Sequence, residues 1–431
     1  MANIAYQQSQ RFTADQAGPV DMLIRSLLIA AVFLTLWISF NPFPSLADPI
    51  DVTDVGNLAN QLGYSGLCLI LMAWCLTHQP QRLLLLARPI VIVTICWFAL
   101  TVVTSWDPSQ SARRFAFALV TIAIAAMVLL LPKTPRHFSD VMAVVVLIVL
   151  VACYLGVMLA PQLSIHQASD AVEPELAGDW RGIFGHKNEA SAVMVVFVFI
   201  GLFVARMRSI GLGALIIALA LPFLFFTHSK TAIATLPLAW LVSVVMARAR
   251  KPGTGIGLAL TLLIGMNLAS VGSVYIPPIH ALVDLIVDPT FTGRTEIWQF
   301  AVDHVMQRPI TCYGFATFWG TEQVVYGMTG ATWANTASHA HNGYLDLALT
   351  VGIPGSLLAT LWLVVLPLYD YYRAPETSEN AALKMLFLQI CLFAAFDCCF
   401  ETMFFQVGNL WLVLITATFG LRFLSLTRVS A

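Results

Sequence analysis

His339 and His341 stand two residues apart in ASHAHNGYLDLALTVGIPG, directly ahead of a long apolar run. An imidazole titrates near about pH 6.5 and suits proton transfer at neutrality. Residues two apart fall on different faces of a helix, so only an extended segment would align the pair. One reading makes one of the two a general base. The other has both rings simply hydrating a membrane boundary. Asn342 has the type and place of a helix cap, and Gly352, Pro354 and Gly355 can break or kink the apolar run partway.

Cations with a second chemistry lie elsewhere. RGIFGHKNEAS holds Arg181, His186, Lys187, Asn188 and Glu189 at the start of an apolar run. A guanidinium fork matches phosphate oxygens, and a helix N-terminus adds free N–H groups. The alternative is that basic and amide side chains merely anchor a helix end. In TGRTEIWQFAVDHVMQRP, Arg294 and Trp298 are one helical turn apart, close enough to stack, with Glu296 between them. The sequence by itself leans to an ordinary solvated helix face with a plain ion pair. Arg113 and Arg114 follow SWDPSQSA, and THSKTA places His228 and Lys230 in a short turn. No CxxC, HExxH or Cys/His cluster points to a metal.

The elements that must position these groups are membrane helices. Of 431 residues, 59% are hydrophobic and 10% charged, with mean hydropathy +0.82, far from the usual soluble balance. Net charge is −1, which gives no electrostatic reason to bind nucleic acid. Spanning needs roughly 20 apolar residues, and about twelve such runs occur. They are predicted at 22–41, 57–77, 84–105, 114–132, 139–160, 188–207, 209–227, 231–248, 254–276, 342–368, 383–401 and 405–425. The run at 57–77 is the most polar, opening on Asn57, Asn60 and Gln61. The cysteines fall in apolar runs except Cys312, so no disulfide framework is expected. The polar first residues do not read as a cleaved signal peptide.

Most of the 22 basic residues gather on one side if the N-terminus is cytoplasmic. Arg113, Arg114, Arg181, Lys187, Lys230, Arg294 and Arg308 remain outside and need another reason to be there. The expected organisation is a cytoplasmic tail over 1–21 and nine helices over 22–276, with a short outer loop near 161–187. A long outer loop over 277–341 comes next, then three helices and a cytoplasmic C-terminus over 342–431. Loops beyond about 12–15 residues are uncommon unless functional. The long one contains an amphipathic helix, since Ile297, Ala301 and Val305 repeat every four residues and Pro309 ends it. GFATFWG reads as an aromatic turn. Outer aromatics are plentiful: Trp180, Phe184, Trp298, Tyr313, Phe315, Phe318, Trp319, Tyr326, Trp333 and Tyr344. They suit either sugar stacking or a bilayer-surface belt.

Three stretches together resemble the Wzy_C superfamily of bacterial O-antigen ligases and polysaccharide polymerases: RGIFGHKNEAS, TGRTEIWQFAVDHVMQRPITCYGFATF and SHAHNGYLDLALTVGIPG. The likeness runs over about 175–360, and its overall pattern is most similar to exopolysaccharide polymerases of the ExoQ type. Cys312 departs from it, standing where the family usually has its first glycine. The resemblance implies an all-α, GT-C-like membrane fold of about twelve helices in the bacterial inner membrane, with the active site on the periplasmic side. It further implies a metal-independent, inverting glycosyltransferase without cofactor. The donor would be an oligosaccharide on undecaprenyl pyrophosphate, and the acceptor a sugar hydroxyl of a growing polysaccharide. Membrane lipid and a chain-length regulator would be the other partners. His341, Arg181 and Arg294 take the catalytic roles on this view. Arg114, Asn188, Lys187, Lys230, His339, Trp298 and Asn342 take substrate. A ligase acting on lipid A core, a transporter or flippase, and a regulatory membrane subunit are the competing readings.

Overall fold

A computed structural model describes residues 18–40, 42–44, 46, 58–171, 173–285, 292–321, 324, 337–406 and 410–426. Most of the expected tail over 1–21, parts of the loop over 277–341 with Tyr326 and Trp333, and the last residues lie outside the described residues. Within them the chain is all-helical, and eight helices are long and apolar enough to cross a membrane. The protein is an all-α, multi-pass integral membrane protein.

The first helices are α1 (Pro19–Ile38), α2 (Leu58–His78), α3 (Pro80–Leu86), α4 (Pro89–Val103), α5 (Pro108–Val128) and α6 (Pro135–Leu159). Then come α7 (Lys187–Met207), α8 (Ile210–Phe226), α9 (Lys230–Arg248) and α10 (Pro252–Ala269). The long loop carries α11 (Pro277–Asp284) and α12 (Thr292–Gln307). Beyond it lie α13 (Gly343–Thr360, continuing to Arg373), α14 (Ala381–Asp397) and α15 (Trp411–Leu426). Proline opens many of them, where its fixed φ and missing N–H cost nothing. Side-chain caps from Asp107, Thr134, Ser209 and Asn342 set other starts.

The core sits around α7, whose apolar stretch is 78% buried. It packs on α6, α8 and α14, while α14 also meets α9 and α15. A helix apolar all round belongs in the middle of a bundle. The eight cysteines are free, and those in α6 and α14 are core residues.

Two boundaries bear on function. The run expected over 383–401 stops being helical at Asp397, so 398–406 forms a turn. That turn offers the carbonyls of Cys398 and Glu401 to the N–H of Gly343, at 2.7 and 3.0 Å. Second, α13 breaks at Gly352, with φ of 74°. A Cβ there would collide with the carbonyl oxygen of Ile310. The close approach lets Ile353 N–H donate to Pro309 and Gly314 N–H donate to Thr350, at 2.9 and 3.1 Å. The long loop is thereby clamped onto α13. Cys312, where the resembled family usually has a glycine, takes φ of 48°, so the turn keeps a glycine-like backbone despite the side chain.

Candidate active site

α12 has the expected inner face: Ile297, Ala301 and Val305 are buried, as is Trp298. Trp298 Nε1 donates to the carbonyl of Ala340 at 2.9 Å. From the other side, Ala340 N–H donates to Asp346 Oδ1 at 3.1 Å. Asp346 also accepts from Trp319 Nε1 at 2.7 Å. The residue between the two histidines is therefore fixed through both its backbone groups. Asn342 completes the local frame. Its Oδ1 caps α13 by accepting from Tyr344 and Leu345 N–H, at 3.1 and 2.9 Å. Its Nδ2 donates to Asn267 and to the Cys399 carbonyl, at 3.1 and 2.9 Å. Asn342 is fully buried, and its polar atoms are committed to the scaffold.

Held this way, the His339 and His341 rings lie edge to face with centroids 4.1 Å apart. His341 N–H donates to His339 Nδ1 at 3.3 Å. His341 has φ of 48°, a left-handed conformation that costs free energy and clusters at functional sites. Its side chain keeps 22% exposure, and Nδ1 lies 3.5 Å from Glu401 Oε2.

Glu401 is where the segments meet. Its Oε1 accepts from Arg294 Nη2 at 2.9 Å and from Asn188 Nδ2 at 3.0 Å. Arg294 Nη1 donates to the Phe400 carbonyl at 2.8 Å. Burial alone would raise the Glu401 carboxyl; Arg294 and the histidines more than offset it and hold it well below the usual carboxylate range. His339 is pushed down to about 3 by burial and by the neighbouring His341. A second carboxylate, Glu173, meets His186 Nε2 at 3.0 Å. That hydrogen bond lowers the Glu173 carboxyl despite burial. His186 Nδ1 in turn caps α7 through Asn188 N–H at 3.1 Å.

The other expected residues have different surroundings. Arg181 is 1% exposed, and its guanidinium donates to the carbonyls of Phe184 and Pro44, at 3.1 and 2.9 Å. Its backbone N–H and that of Gly182 both donate to the Ser164 carbonyl. It ties the short loop to itself and to Pro44, in the connection after α1, and does not share the Glu401 cluster. Lys187 is paired with Asp179, which also accepts His228. Arg114 donates to the Ala316 carbonyl and pins the aromatic turn to α5. Lys230 is exposed at the first residue of α9. Of the aromatics, Phe184, Trp298, Tyr313, Phe315 and Phe318 are buried core residues, so neither sugar stacking nor a surface belt describes them. Among the described residues no group of three or more His, Cys, Asp or Glu is placed to hold one metal ion.

Sequence reasoning missed Glu401, Asp346 and Glu173. An acidic residue inside an apolar run is costly unless partnered, so Glu401 in CCFETMFF was a legible signal. Asp346 in GYLDLAL was another.

Residues 215–360 match the Wzy_C family model, described as O-Antigen ligase. The resemblance to Wzy_C stands. The matched stretch includes Lys230, Arg294, Trp298, His339, His341 and Asn342, and ends before Glu401. A protein of Rickettsia conorii (strain ATCC VR-613 / Malish 7), named as a candidate polysaccharide ligase, is 28% identical over 137 residues. The alignment covers 29% of this chain and 31% of that relative.

Proposed function

We propose that the protein is a membrane glycosyltransferase of the polymerase or ligase type. It would transfer an oligosaccharide from undecaprenyl pyrophosphate to a sugar hydroxyl at the periplasmic face of the inner membrane. One observation carries the reading. Arg294 from α12, Asn188 from α7 and His341 ahead of α13 all address Glu401, on the turn after α14. A paired base and cation at the rim of a bundle suit a donor tethered in lipid and an acceptor arriving from water.

The chemistry divides among these groups. Glu401, beside Nδ1, orients His341 and stabilises its imidazolium. Nε2 is then the ring nitrogen that takes the proton of the acceptor hydroxyl as its oxygen attacks the anomeric carbon. The carbon–oxygen bond to the lipid diphosphate breaks on the opposite face, which inverts the configuration. Arg294 meets the departing diphosphate with the donors not committed to Glu401 and Phe400; its side chain is 25% exposed. His341 is preferred to His339 because a ring held near 3 is a poor proton acceptor at neutral pH. Arg181 acts at a distance by holding the loop that leads to His186 and Asn188. This chemistry calls on no metal and no cofactor. A growing polysaccharide and a chain-length regulator are the partners this reading implies.

The test is reconstitution with a defined lipid-linked repeat unit, read by mass spectrometry of the products with and without chelator. Ladders of added repeats support polymerase, and a single transfer to lipid A core supports ligase. Translocation with no new glycosidic bond would refute the enzyme reading.

A further inference from the structure

A cavity of about 480 Å³ lies at the end of the bundle remote from Glu401. The site end is formed by the starts of α7 and α9 and the end of α14. The cavity is lined from the opposite ends of the same helices, by Arg206 of α7, Arg248 of α9 and Lys384 of α14, with Trp240 from the middle of α9. Helices of this length separate the two ends by roughly 30 Å.

The charge around the cavity is unbalanced. Arg206, Arg248 and Lys384 face it together with the single carboxylate of Glu376. None of the three cations forms an ion pair among the described residues. Lys384 is the most telling, being only 6% exposed. Its ammonium donates to the Ala374 carbonyl at 3.1 Å and sits 4.4 Å over the Tyr371 ring. Buried charges are ordinarily paired by direct contact, and here a carbonyl and a π face make the close contacts while Glu376 is the single carboxylate in the lining. The start of α14, with Ala381 in the lining, adds partial positive charge. Trp240, midway along α9 and roughly 12 Å inward of Arg248, is 46% exposed and offers an apolar surface below the cations.

We propose that this cavity binds the phosphate headgroup of an anionic phospholipid. Arg206 and Arg248 clamp the phosphate, Lys384 supplies the deep charge, and the acyl chains run along the face of α9 that carries Trp240. Basic pockets between membrane helices hold anionic headgroups by this arrangement. The site is independent of the transfer reaction and would exist whatever the protein's activity.

The test uses the full chain in neutral detergent, with phosphatidylglycerol, phosphatidylcholine and inorganic phosphate as probes. Binding is read by native mass spectrometry and by the shift in Tm. Phosphatidylglycerol should bind saturably and raise Tm, while phosphatidylcholine should not. The double substitution Arg206→Gln/Arg248→Gln, at exposed positions that leave the core untouched, should weaken phosphatidylglycerol about 25-fold, at roughly fivefold per cation. Arg206→Lys/Arg248→Lys should keep most of the binding. Equal binding of phosphatidylcholine, or unchanged phosphatidylglycerol binding by the glutamine variant, overturns the proposal. Displacement of phosphatidylglycerol by millimolar inorganic phosphate also overturns it, because the ligand is then a water-borne phosphate and not a lipid.

Discussion

Arg181 and Arg294 occupy the two polar segments that the sequence marks most strongly, yet their partners are of opposite kinds. Arg181 sits in the short loop, sealed from solvent, and spends its Nη1 and Nη2 donors on the carbonyls of Phe184 and Pro44. Arg294 sits in the long loop, partly exposed, and shares a carboxylate with Asn188 and His341. Residue type and nearness to a helix start are alike for the two. What separates them is the partner. A carbonyl has no charge to trade and fixes a guanidinium as part of the scaffold. A carboxylate shared with an imidazole makes a group that can respond when substrate charge arrives.

The sharpest way to break the contrast is at Arg294. Arg294→Lys keeps the charge but loses the planar fork, and should lower turnover about 10²- to 10³-fold with the protein still folded. Near-normal turnover in a single-turnover assay would place Arg294 with Arg181 as scaffold. Arg181→Met should do the reverse. It removes two hydrogen bonds to backbone carbonyls, one of them fully buried, so stability should fall by about 2–4 kcal/mol. Turnover per folded molecule should change far less than in Arg294→Lys; a drop as large, at unchanged Tm, would restore Arg181 to the chemistry. Gly352→Ala probes the clamp beneath the long loop. The added Cβ collides with the Ile310 carbonyl, so the loop must undock. A Tm loss together with protease cleavage between Pro309 and Gly314 is the expected outcome, and wild-type protection would discount the clamp.

The smallest effect is a pH dependence. His339 has a folded value near 3, against about 6.5 unfolded, so the unfolded chain binds the extra proton. Its contribution to stability is complete above about pH 6.5 and is lost as pH falls toward 3. Glu401, held below its ordinary value, adds stability above about pH 4.3 that is lost on further acidification. His339→Gln should therefore flatten the fall in Tm between pH 6.5 and 5. A slope identical to wild type would mean that His339 titrates normally.

The fold was largely legible in the sequence. Apolar run length finds membrane helices because the bilayer core sets their length, and the spacing of Ile297, Ala301 and Val305 found α12. Asn342 was legible as a cap from its type and place. Glu401 stood inside a predicted helix; its acidic type in an apolar run was its one local signal, because hydropathy does not register the point at which α14 stops. The pairing of Arg294 with Glu401 joins residues far apart in the chain, and no local pattern encodes it. Burial of Arg181 was equally illegible, since carbonyl partners carry no side-chain signature.

The most direct test of the central claim is product formation by His341→Ala protein supplied with a defined lipid-linked repeat unit. Membrane insertion and Tm of the variant are verified in parallel. The account predicts a folded protein that adds no repeats over the time in which wild type exhausts its donor. Extension at the wild-type rate and length would contradict it.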